Sequence, residues 1–242
     1  MQRRPEGWGS AEIQPLWTKY RPLVLKNVHM DDIISTMDVA HPYTAVCPSL
    51  DGDVLQVLAG TNMGLTGRQV ALLAGRSSHS GVLQVLNRLT DQGLVDRVEL
   101  NRAYLFALNR EHLAAPAVEI LMGMREELIN RIRVALDAWQ IVPLHVSLFG
   151  STARADGDTR SDIDLLVIRP SDVDKDEPSW RTQMSELSDQ IRRWTGNYAG
   201  IVERTESQIA RLSADELPIL AELRSDAIVL SGSDIPTLLA AA

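Results

Sequence analysis

LFGSTARADGDTRSDIDLLVI, residues 148–168, places a small-residue turn and an arginine ahead of two aspartates spaced one apart in an apolar run. Alternation along a strand turns Asp162 and Asp164 to one face, while Ile163, Leu165 and Val167 turn to the other, buried face. Two carboxylates side by side repel unless a cation lies between them, and magnesium, a hard ion that takes oxygen ligands, suits that place. The Gly150-Ser151 turn lets backbone amides and a hydroxyl approach an anion closely, and Arg154 adds a planar positive fork. Phosphate on one side and metal on the other describe a nucleotide site.

Outward from this stretch, residues 113–242 alternate helical and strand-like patterns. In APAVEILMGMREELINRIRVALDAW, residues 115–139, Val118, Leu121, Met124, Leu128, Ile132 and Leu136 recur at helical intervals, which predicts one long connector helix. LHVSLFG and SDIDLLVI read as strands on either side of an arginine-bearing turn. Trp180, Met184, Leu187, Ile191 and Trp194 form one helical face, closed by Gly196 and Asn197. YAGIVER is a third strand, SQIARL and ELPILAELR are helices, AIVL is a fourth strand and DIPTLLA a last helix. The pattern predicts an α/β (α+β) domain with helices packed on a small mixed sheet.

Upstream, residues 46–112 hold three short helical patterns and two strand-like runs. DGDVLQVLAG has Val54, Leu55 and Leu58 on one face, with Asp51 as its cap. LTGRQVALLAG starts a helix at Thr66 and ends it at Gly75, and Val82, Val85, Leu86 and Leu89 mark a third helix stopped by Gly93. LVDRVEL and AYLFAL, joined by Asn101 and Arg102, read as a β-hairpin. This order resembles the winged helix-turn-helix, whose third helix enters the DNA major groove and whose hairpin wing touches the backbone. The resemblance implies duplex DNA as a partner, with Arg76, Ser78 and His79 opening the reading helix beside Ser77, and Arg97 and Arg102 on the wing. Residues 51–110 carry about one net positive charge while the whole chain carries −8, a contrast that favours local DNA contact over a generally basic surface. Residues 1–45 show no clean periodicity and read as a loosely ordered extension.

The residues of the opening stretch also resemble a known family. A Gly-Ser turn (Gly150, Ser151), an alanine-arginine pair (Ala153, Arg154) and then Ser-Asp-x-Asp (Ser161, Asp162, Asp164) are similar to the signature of the minimal nucleotidyltransferases, in the superfamily that includes polymerase beta. The resemblance implies transfer of a nucleoside monophosphate from a nucleoside triphosphate, with pyrophosphate released and two Mg2+ ions held at Asp162 and Asp164. It also implies a third carboxylate on a later strand. The position aligned with it on AGIVER is Gly200, and Glu203 lies nearby, although strict alternation turns Glu203 to the opposite face. Glu203 rotated in by a bulge, an acid elsewhere such as Asp158, or weak or absent catalysis are the alternatives. The family's glycine after the arginine is displaced as well, because Ala155 and Asp156 precede Gly157.

Composition bounds the setting. With 242 residues and 45% hydrophobic content, the chain suits two domains with real cores. Its one cysteine, Cys47, cannot form an internal disulfide. No apolar run approaches the ~20 residues of a membrane span, and the arginines of the first ten residues precede no signal-peptide core, so the expected location is cytoplasmic. Trp180 and Trp194 read as core, and Trp8, Trp17 and Tyr20 as partly buried. The acidic run Asp172–Glu177 reads as a solvated loop. Three functions fit: a nucleotidyltransferase acting on a protein, RNA or small-molecule acceptor, with a DNA-binding module; a DNA-binding regulator whose second domain senses nucleotide; and one component of a toxin-antitoxin pair with a protein partner. A homodimer suits each.

Overall fold

The computed structural model describes residues 36–75, 78–210, 226–234 and Thr237. The first core is built by α1 (Leu50–Ala59), α2 (Gly67–Leu73), α3 (His79–Asp91) and a three-stranded antiparallel sheet of β1 (Leu65–Thr66), β2 (Val95–Leu100) and β3 (Ala103–Leu108), in the order β1-β3-β2. Val54, Leu58, Val70, Val82, Leu86 and Phe106 are fully buried in it. The helix starts follow cap chemistry. Thr66 and Gln69 form a reciprocal capping box at α2, and Ser78 Oγ accepts from the Gly81 amide at α3. At α1 the cap is Ser49, not Asp51, which lies in the first turn and pairs with Arg88. The two-residue β1 escapes sequence periodicity because so short a strand shows no alternation.

The expected long connector is two helices, α4 (Ala115–Met122) and α5 (Met124–Asp137), broken at Gly123. The break follows from two destinations. Val118 and Met122 pack into the first core, whereas Leu128, Ile129, Ile132 and Leu136 pack into the second. A single straight helix cannot keep one stripe on both. Part of the expected N-terminal extension also joins the body: Val39 is buried in the second core, and Tyr43, in a 3-10 turn (Pro42–Ala45), is buried in the first and donates to Asp53 Oδ1 at 2.8 Å.

The second core lies on a four-stranded mixed sheet of β4 (His145–Phe149), β5 (Ile163–Arg169), β6 (Ala199–Thr205) and β7 (Ile228–Gly232), in the order β6-β5-β4-β7. β5 runs parallel to β6 and antiparallel to β4, and β7 runs antiparallel to β4. Helices α5 and α7 (Pro178–Thr195) cover the face bearing Val146, Leu148, Ile163, Leu165 and Val167. Trp180 is fully buried there and meets Trp139 edge-to-face at 5.5 Å, and Trp194 packs at the margin, as the helical stripe implied. On the opposite face Leu166, Ile168 and Ile209 form a smaller cluster beside α8 (Glu206–Ala210). The helix expected at ELPILAELR and most of DIPTLLA lie outside the described residues, as do Trp8, Trp17 and Tyr20 of the leader.

Candidate active site

The chain leaves β4 at Phe149 and turns at Gly150, whose φ of +67° is a left-handed value that a residue without Cβ adopts freely. The stretch expected as a plain turn then winds into a one-turn helix, α6 (Gly150–Arg154). Ala155 ends it at φ +58°. A left-handed conformation directly after Arg154 is one that glycine adopts freely and that alanine takes only at a cost.

Two side chains hold this loop: Arg125, which carries no local signal, and Asn197, expected only to close a helix. Arg125 of α5 donates through Nη2 to the carbonyls of Thr152 at 3.0 Å and Ala153 at 2.8 Å, neutralising the last turn of α6. Asn197, buried after α7, donates through Nδ2 to Ser161 O at 2.9 Å and to Met37 O at 3.1 Å. No short-range pattern announces such contacts, because their partners lie 27 or more residues away. Within the loop, Thr152 Oγ1 donates to the Asp162 carbonyl at 3.2 Å. Ser161 Oγ accepts from the Asp158 amide at 2.9 Å and donates to the Asp158 carboxylate at 3.3 Å. The Arg160 amide and guanidinium donate to Asp158 as well and hold its carboxyl below the usual range. Asp158 is thereby committed to shaping the loop.

Asp162 lies exposed just before β5, not inside the strand, and Asp164 is half-buried at its second position. Both residues stand beside Gly200. A Cβ built on Gly200 would lie 2.7 Å from Asp164 Oδ1 and 3.9 Å from Asp162 Cβ, and one built on Gly150 would lie 2.5 Å from Asp164 Oδ2. Gly150, Asp162, Asp164 and Gly200 are therefore neighbours. Ser151 is half-buried on α6 and is close to Gly157, as is Ser161. Arg154, at the end of α6, donates through Nε to Asp156 at 3.1 Å. Two carboxylates are hard oxygen donors of the kind Mg2+ accepts, and Mg2+ keeps waters and phosphate oxygens for its remaining positions, so the donor set fits that ion. Among the described residues no group of three or more His, Cys, Asp or Glu could hold a metal.

Glu203 does not join them. Its carboxylate accepts from Arg169 Nε at 2.6 Å and from Trp180 Nε1 at 3.2 Å, which places it on the α7 face of the sheet, opposite Asp164. No bulge interrupts the β5–β6 register to rotate it.

In the first core, Ser78 caps α3 and His79 is exposed at its start, while Arg76 and Ser77 lie outside the described residues. Arg97 lies over the Tyr104 ring at 4.9 Å and donates to Asn87 on α3. Arg102 stands at the hairpin tip with φ +67° beside Asn101 at +51°. Two other arginines of this region are structural: Arg88 pairs with Asp51, and Arg110 pairs with Glu119 and donates to the Ala59 and Thr61 carbonyls.

Residues 129–221 match the family model of the nucleotidyltransferase domain. The matched span contains β4, α6, β5, α7 and β6, hence every residue of the Asp162–Asp164 site, and the mixed α/β architecture is consistent with that fold. No curated protein matches the chain. Among the described residues no helix is long and apolar enough to cross a membrane.

Proposed function

We propose that this chain is a Mg2+-dependent nucleotidyltransferase that moves a nucleoside monophosphate from a nucleoside triphosphate to an acceptor, joined to a winged-helix DNA-binding module. The observation carrying this reading is the placement of Asp162 and Asp164 beside Gly200, with Asp164 also against the Gly150 turn, inside the segment that matches the nucleotidyltransferase domain. A nucleophilic hydroxyl of the acceptor forms the new bond to the α-phosphorus and releases its proton to water, and the bond from the α-phosphorus to pyrophosphate breaks. Asp162 and Asp164 hold Mg2+, which when bound supplies charge neutralisation of the triphosphate. Gly150 and Ser151 present amides and a hydroxyl to phosphate, Arg154 adds a guanidinium, and Ser161 shapes the loop that carries Asp162. Because Glu203 is engaged on the opposite face, it has no part in this site. If two Mg2+ ions bind, the second draws its remaining ligands from the triphosphate and water, since two carboxylates cannot fill both shells. In the first core, the succession of three helices and a hairpin, with Arg97 and Arg102 on the hairpin, supports duplex DNA as the partner of that module.

The test is calorimetric titration of the chain with each of the four nucleoside triphosphates, with and without Mg2+, for the native protein and for Asp162→Asn and Asp164→Asn. Loss of Mg2+-dependent binding in both variants, with the fold unchanged, is the expected outcome. Unchanged affinity removes the assignment. A second reading, in which the domain binds nucleotide as a sensor for a DNA-binding regulator or a toxin-antitoxin component, is favoured by glycine at the position where the family pattern has its third carboxylate. Incubation with α-labelled nucleotides and a cell extract separates the two: a labelled protein, RNA or small molecule supports transfer, and binding without label supports sensing.

A further inference from the structure

We propose that Gly200 is a positioning residue: its bare α-carbon is the seat of the Asp164 carboxylate. The inference rests on the nucleotide reading of Asp162 and Asp164. In the parallel β5–β6 ladder Asp164 and Gly200 are direct partners. A Cβ at Gly200 would lie 2.7 Å from Asp164 Oδ1 and 3.8 Å from its Cγ, while on the other flank a Cβ at Gly150 would lie 2.5 Å from Oδ2. Saturated carbon and carboxylate oxygen do not approach so closely without bonding, since favourable contacts begin near ~3.5 Å. An aspartate has two side-chain torsions, so it yields to a new Cβ by turning its carboxylate away rather than by unfolding the strand. A side chain at 200 therefore turns the Asp164 carboxylate out of the place it now holds. Glycine here is the counterpart of the Asp164 rotamer.

The experiment places Gly200→Ala and Gly200→Asp in the full chain, each alone and in an Asp164→Ala background. Thermal midpoints are measured without ligand, and ATP, GTP, CTP and UTP are titrated with and without Mg2+. Gly200→Ala is expected to weaken Mg2+-dependent nucleotide binding at least tenfold while leaving metal-free binding unchanged, a difference that a merely structural role would not produce. Its midpoint shift is expected to be more positive in the Asp164→Ala background, where the carboxylate is gone and alanine gains over glycine in a strand. Equal midpoint shifts in both backgrounds, or unchanged Mg2+-dependent affinity of Gly200→Ala, each overturn the proposal. If the native chain binds no nucleotide with Mg2+, the nucleotide reading fails on its own, and the midpoints still decide the seat: background-dependent shifts uphold it and equal shifts overturn it.

Discussion

Gly200 and Glu203 lie three residues apart on one strand and face opposite sides of the sheet: the first underlies the Asp164 carboxylate, and the second binds Arg169 and Trp180. An odd spacing in an unbulged strand has this consequence, because side chains alternate with period two. The nearest acidic residue in sequence is therefore distant in function. Its place is with the packing of α7 on the sheet.

Glu203→Gln is expected to leave nucleotide binding unchanged and to destabilise the fold. Arg169 is only 12% exposed and loses its anionic partner, while the new amide oxygen can still accept from Trp180. Breaking a well-buried pair costs ~3–5 kcal/mol, and with Glu203 itself 29% exposed the cost falls to about 2 kcal/mol. Urea unfolding beside nucleotide titration checks both halves. Normal stability with lost nucleotide binding would return Glu203 to the site.

Arg125→Ala is expected to loosen α6. Two charge-assisted hydrogen bonds to the Thr152 and Ala153 carbonyls disappear, and bonds to charged groups contribute about 1.5–3 kcal/mol each before relaxation. A total loss of about 2 kcal/mol in urea unfolding, with weaker nucleotide binding because Ser151 and Arg154 ride on the same turn, is the expected pair of effects. Arg125→Lys, which keeps the charge but not the fork, should fall between. An unaltered nucleotide affinity in a destabilised Arg125→Ala protein would mean that α6 keeps its shape without the pin.

The sequence exposed much of this architecture and little of its bracing. The helix start at Thr66 and the Asn101-Arg102 hairpin are local signals, and both elements formed where the signals stood, whereas the strand expected to include Asp162 begins one residue later, at Ile163. Periodicity predicts one connector helix because Val118 and Leu136 share a helical period, although they serve different cores; periodicity records the angle of a stripe and not what it faces. The spacing of Asp162 and Asp164 implies that they are neighbours, and both lie beside Gly200. The bracing by Arg125 and Asn197 is not legible, since a long-range hydrogen bond to a backbone carbonyl leaves no pattern in the residues that make it.

His145 gives the second core a pH dependence of definite sign. The ring is buried on β4, its Nδ1 lies 2.6 Å from the Ser233 carbonyl, and burial lowers its pKa below the ordinary 6.5, opposed by that hydrogen bond and by the charge of Asp234. The unfolded chain therefore binds the proton more readily than the folded one. Stability is full above about pH 6.5 and declines as pH falls from there towards the lowered folded value. Urea midpoints measured between pH 8 and 5 should show the decline in the native chain and a flatter profile in His145→Gln. Equal slopes would assign the acid sensitivity to other groups.

The β2–β3 hairpin offers a prediction in which stability and affinity move in opposite directions. Arg102 holds φ +67° at the hairpin tip, a conformation that costs a residue with Cβ about 1–2 kcal/mol and that glycine adopts freely. Arg102→Gly should therefore stabilise the chain, by about 0.5–1 kcal/mol once glycine's greater unfolded-state entropy is counted. If the arginine reaches DNA phosphate, the same change should weaken duplex binding to all sequences about equally and reduce the slope of log affinity against log salt by about 0.9. Arg97, held by Tyr104 and Asn87, supplies the comparison, because its side chain is already oriented before any DNA arrives. His79→Ala, at the open start of α3, should instead alter which sequence is preferred. Gel retardation of genomic fragments by the full chain over a range of salt, with thermal midpoints for each variant, reads both effects. A more stable Arg102→Gly chain that binds DNA as the native one does would show that Arg102 makes no phosphate contact, and a native chain that retards no duplex at low salt would leave the first core as a docking module.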